Sequence, residues 1–148
     1  MWNLFKRKNN KDDNKYISIP ESHINDELKS EIINLEKLSE KHALTLQEEY
    51  QEAFFLNNKQ NLKIWVCRDI DGDELQDLSY NNSLEKEYRS RVVIDYEGTK
   101  YDDEFYAYDI YLWYYYTGYF KGSGTLYNYK EYDLYKEIES ALKELLTV

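Results

Sequence analysis

Cysteine occurs once in this 148-residue chain, at Cys67. A single thiol excludes an internal disulfide framework and a cysteine-built zinc site, and it makes a reducing cytoplasm the expected compartment. Apolar runs are short. None approaches the ~20 residues that cross a bilayer, so no transmembrane helix is expected. The opening residues, Met1-Trp2-Asn3-Leu4-Phe5-Lys6-Arg7-Lys8, put their charges after the apolar group, the reverse of a secretory leader. Trp2 stands where N-myristoylation needs glycine. A glycine-rich phosphate loop, a Walker lysine and a Gly-x-Ser-x-Gly elbow are all missing. Histidine is limited to His23 and His42. On one predicted helix those two lie about 28 Å apart, at about 1.5 Å per residue, too far to share a metal. Cys67 falls within a predicted strand and has no histidine near it in sequence. The chain therefore reads as non-enzymatic, with no cofactor.

Arginine is scarce, at four against fifteen lysines, while asparagine reaches twelve and tyrosine 17. Lysine, asparagine, isoleucine and tyrosine have AT-rich codons, so an AT-rich bacterial or phage genome accounts for part of the tyrosine excess. Its distribution is uneven, with 12 of the 17 tyrosines between positions 101 and 135. Charge is uneven as well. Asp and Glu number 29 against 19 for Lys and Arg, a net −10. Residues 1–15 hold Lys6, Arg7, Lys8, Lys11 and Lys15 against Asp12 and Asp13, a net +3, which leaves −13 on residues 16–148. That balance disfavours direct nucleic-acid binding, which phosphate neutralisation drives. It favours a basic protein partner and speeds the encounter with it. The same charge also serves solubility.

Residues 1–15 read as a flexible basic arm, with too few apolar side chains to hold a membrane surface. Residues 16–148 read as one α+β domain. Ile24, Leu28, Ile32, Leu35 and Leu38 recur at helical spacing after Pro20 and Ser22, which predicts a helix over 23–42. Thr45-Leu46-Gln47-Glu48 has the form of a capping box and predicts the start of a second helix, ended by Asn57-Asn58-Lys59. Period-two alternation predicts strands at 62–68 and 88–96, a turn at 97–100, an aromatic strand within 104–117, a turn at 121–124 and a closing strand at 125–130. Leu134, Ile138, Ala141, Leu142 and Leu145 describe a last amphipathic helix. The expected architecture is a four-stranded antiparallel sheet, with two N-terminal helices and one C-terminal helix packed on one face.

Two features suit binding. Asp69, Asp71, Asp73, Glu74 and Asp77 place five acids within nine residues without a base. Neither register of this segment completes an EF-hand, because position twelve falls on Leu78 or Tyr80, so it reads as an acidic Asp-Gly turn and not as a calcium loop. The second feature is the aromatic strand. Its even positions carry Ile110 and Leu112 and are expected to face the helices, which puts Tyr111, Trp113 and Tyr115 on the other face with Trp65, Arg89 and Arg91. Either that face meets water, or a loop, a second copy or the N-terminal arm covers it. Tryptophan, tyrosine and arginine dominate protein interfaces. A small acidic cytoplasmic protein with such a face and no catalytic set is in character with a bacterial immunity protein that neutralises a basic toxin, for example a nuclease; no family motif carries this. A phage anti-defence protein whose acids imitate nucleic-acid phosphates fits the same features. A carbohydrate-binding module using Tyr111, Trp113 and Tyr115 as a stacking platform is a third reading.

Overall fold

The computed structural model describes residues 15–74, 82–98, 106–116 and 123–148. Among these, the chain runs β1 (Tyr16–Ile19), a single 3-10 turn (Glu21–His23), α1 (Asp26–Leu56), β2 (Gln60–Ile70), β3 (Asp73–Glu74), β4 (Tyr88–Glu97), β5 (Tyr108–Tyr115), β6 (Gly124–Tyr127) and α2 (Leu134–Leu146). The strands form one antiparallel sheet in the order β1-β6-β5-β4-β2-β3. The α+β class stands, but the expected four-stranded sheet is six-stranded and the two N-terminal helices are one. Residues 1–14 of the expected arm, and parts of the turns at 97–100 and 121–124, lie outside the described residues. Lys15 is tied in, its carbonyl accepting from the Asn128 amide at 2.7 Å.

The single helix follows from the phase of its buried positions. Leu28, Ile32, Leu35, Ser39, Ala43, Leu46 and Phe54 form one stripe that passes through 43–46 without a break. No glycine or proline interrupts it. The Thr45 hydroxyl caps nothing and donates back to the Lys41 carbonyl at 3.1 Å. The true N-cap is Asn25, whose side chain accepts from the Leu28 amide at 3.0 Å. At the other end Asn58 takes a left-handed φ of 64°. There the Lys59 amide bonds the Phe54 carbonyl and the Asn58 amide bonds that of Phe55, so the Asn57-Asn58-Lys59 stop closes as a Schellman motif.

The two extra strands sit at the sheet edges. β1 is four residues long, followed by Pro20, and pairs with β6 more than a hundred residues away. β3 is the return arm of a tight hairpin from β2, in which Asp71 (φ 52°) and Gly72 (φ 87°) are both left-handed. Two positive φ values in a two-residue loop make a type I′ turn, the conformation that Asp-Gly favours.

One face of the sheet packs against α1 and α2. Ile64, Val66, Val92, Ile94, Ile110 and Leu112 are all buried there with Leu28, Ile32, Leu35, Ile138 and Leu142. The Gln47 side chain reaches from α1 and accepts from the Ile64 amide at 2.8 Å, next to the irregularity between Gln60 and Lys63 in β2. Inside this layer is a charged group. Arg68 Nε meets Glu36 Oε1 at 2.9 Å, Arg68 Nη2 meets Glu40 at 3.2 Å, and the Tyr88 hydroxyl donates to Glu36 Oε2 at 2.6 Å. No helix among the described residues is long and apolar enough to cross a membrane.

Candidate interaction surface

A bulge in β5 decides which aromatic rings reach the outer face, the one turned away from the helices. Arg91 of β4 pairs with Tyr111, and the next residue down, Ser90, pairs with Trp113. One step on β4 thus spans two on β5, with Leu112 the inserted residue. The alternation reverses beyond it. Trp113 and Tyr115 turn inward, while Tyr114 joins Arg89 and Tyr111 outside. Strict alternation predicts the opposite for all three.

Trp113 is 0% exposed. Its indole N–H donates to the Ser83 carbonyl at 2.7 Å, and its ring covers Gly124 so closely that a Cβ there would overlap it. Tyr115 is also buried, its hydroxyl donating to Glu21 at 2.6 Å. Both were expected on the exposed face and neither is there. Tyr111 and Trp65 are, each half-buried. The rings that complete the face are Tyr106, 37% exposed, and half-buried Tyr114 and Tyr116. Tyr106 stacks edge-to-face on Trp65 (5.2 Å, 87°), Tyr111 meets Tyr114 (6.5 Å), and Tyr114 meets Tyr116 (5.5 Å).

Between the rings lie cations. Arg89 donates to Asp69 from Nε at 3.0 Å and to the Tyr111 hydroxyl from Nη1 at 2.9 Å, while lying 5.5 Å from the Tyr111 ring centre. Arg91 donates to Asp109 at 2.8 Å and lies 5.6 Å from the Tyr106 ring centre. The Lys63 ammonium lies 5.8 Å from the centre of Trp65. Burial disfavours the Arg89 charge, but Asp69 and Tyr111 outweigh it and hold the guanidinium above its ordinary value.

The acidic segment splits in two. Asp69 is buried and committed to Arg89. Asp71, Asp73 and Glu74 are exposed on the β2–β3 hairpin. Asp77 lies outside the described residues. With Arg89 and Arg91 neutralised internally, the charge this end of the sheet offers a partner is negative.

His42 lies in α1 with its ring edge-on to Tyr135 (5.2 Å), and His23 lies in the 3-10 turn, outside the helix it was expected to start. Burial lowers the His42 imidazole and raises the Cys67 thiol from their ordinary values. Among the described residues no three metal-ligating side chains converge. The sequence singled out Trp65, Arg89 and Arg91 but not Tyr106 or Tyr114. Both sit at even positions of the aromatic strand, and without the bulge Tyr114 shares a face with Leu112. No protein-family model, curated protein or solved structure matches the chain, so the site is read from its geometry alone.

Proposed function

We propose that this chain is a non-enzymatic inhibitor that binds and blocks a basic protein, in the manner of a bacterial immunity protein, and that it acts in the cytoplasm. The observation that carries the reading is one of position. The exposed acids Asp71, Asp73 and Glu74 stand on the β2–β3 hairpin, beside a band of rings from half-buried Trp65, Tyr111 and Tyr114 and exposed Tyr106. Acids steer an oppositely charged partner and set the salt dependence, and rings of this kind supply the desolvated centre of an interface. A sugar platform has less support. Trp113 and Tyr115 are buried, and the outer rings meet edge-to-face and offer no flat surface for a pyranose.

The test begins with the genes flanking this one. Their products are expressed alone and together with this chain, and binding kinetics are recorded at low and physiological salt. The expected result is a toxic, basic product whose toxicity is relieved and whose association slows as salt rises. If no flanking product binds the chain, the reading fails.

A further inference from the structure

We infer that the corner between Trp65 and Tyr106 is the anchor of this surface, and that it takes an arginine or lysine side chain of the protein partner in place of Lys63. The inference rests on the inhibitor reading and names the chemistry of its central contact.

Three observations lead to it. First, the two rings stand at 87° with centres 5.2 Å apart, and Tyr106 is the most exposed aromatic residue of the face. Second, this face already attracts cations. Lys63, Arg89 and Arg91 each lie over a ring, within the ~6 Å at which the ring quadrupole holds a positive charge. Arg89 and Arg91 are fixed by Asp69 and Asp109. Lys63 is exposed and has no carboxylate partner among the described residues, so its contact with Trp65 is the one an incoming cation can displace. Third, carboxylates lie at the corner. Asp95 is directly across the ladder from Lys63, and Glu74 is on the neighbouring hairpin. Both add to burial in raising the Tyr106 phenol, which puts their negative field on that ring. A guanidinium seated there meets two rings in the negative field of Glu74 and Asp95. A second copy of the chain is a poor occupant, since it brings a further −10.

The test uses the full chain labelled with nitrogen-15 and follows its three indole N–H resonances, assigned with Trp65→Phe and Trp2→Phe. The probes are a capped tetra-arginine peptide, a capped tetra-lysine peptide and a capped tetra-glutamate control. Both cationic peptides should move the Trp65 resonance saturably and leave that of buried Trp113 in place; the acidic peptide should move neither. Tyr106→Leu should weaken binding roughly three- to ten-fold. Lys63→Met, at an exposed position, should strengthen it roughly two- to three-fold. An unmoved Trp65 resonance, or a Lys63→Met variant that binds no better, overturns the inference. Kinetics with the protein partner separate this from the wider reading. If Asp71→Asn slows association while Trp65→Phe and Tyr106→Leu leave the complex unchanged, the anchor is wrong and the inhibitor reading stands. If the peptides bind at Trp65 but no protein partner exists, the inhibitor reading is the one that falls.

Discussion

The two faces of the sheet use the same residue types for different ends. On the helix side, and between the helices, tyrosine hydroxyls donate to glutamates. Tyr88 bonds Glu36, Tyr127 bonds Glu137, Tyr115 bonds Glu21, Tyr50 bonds Glu139, Tyr135 bonds Glu49 and Tyr129 bonds Glu31. Each is a neutral phenol donating to a carboxylate, a charge-assisted bond stronger than one between neutral groups. On the outer face the tyrosines meet arginines and one another. Much of the tyrosine excess is thus latching between elements, and part of the acidic excess is the set of acceptors it needs. The acids at the hairpin and the rings of the outer face take no part in these latches.

The largest expected effects lie on the helix side. Trp113→Ala removes a fully buried ring and its bond to Ser83, and should cost about 4 kcal/mol in urea unfolding, whereas Trp65→Ala, half-buried outside, should cost about 1. Equal costs would mean that the bulge does not divide the two rings as described. Next is the buried charge. Arg68→Met leaves Glu36 buried without its cation and should cost about 3 kcal/mol. Combining it with Glu36→Gln should recover part of that loss, because the second change removes the stranded charge.

These contrasts also mark what was legible in the sequence. The aliphatic register of β2 and β4 was readable, because Ile64, Val66, Val92 and Ile94 alternate without interruption. The Asp-Gly hairpin was readable as a turn, because its chemistry is local. The bulge was not. It depends on where Ser90 and Arg91 pair across the sheet, and no residue in 111–115 announces the extra step. β1 was not either: four residues are too few to establish a period, and their partner strand is distant in sequence. The capping-box motif at Thr45 misled because a local signal competes poorly with an apolar stripe that stays in phase. For the candidate site, residue types were legible, as was the side of the sheet for Trp65, Tyr111, Arg89 and Arg91; beyond the bulge, for Trp113, Tyr114 and Tyr115, it was not.

A smaller effect separates the latches by pH. The Tyr115 phenol, held by its bond to Glu21, is pushed up to about 12, as are Tyr50 and Tyr129 by burial and then by Glu139 and Glu31. Their ordinary value is 10.0. A value raised on folding stabilises fully below the unfolded value, so these latches should hold below about pH 10 and weaken as pH climbs towards about 12. Melting temperature followed across that window should fall, and the fall should be shallower in Tyr50→Phe and Tyr129→Phe. A curve unchanged by those substitutions would remove the latches from the account of stability.

The smallest effect on stability should accompany a clear effect on binding, at the hairpin. Asp71→Asn, Asp73→Asn and Glu74→Gln remove exposed charge and leave the turn intact, since asparagine tolerates the left-handed backbone at position 71 as aspartate does. Stability should stay within about 0.5 kcal/mol of the parent. Association with a basic partner should slow several-fold at low salt and dissociation should hardly change, because these acids act at long range and not in the packed centre. Asp69→Asn is the internal control. It lies in the same run of acids but is buried against Arg89, so it should cost stability and loosen Tyr111 through that arginine. If all four variants behave alike, the run is one acidic patch and the two faces do not divide it. If Asp69 alone destabilises while the other three alone slow association, one acid belongs to the frame of the sheet and three to its means of recognition.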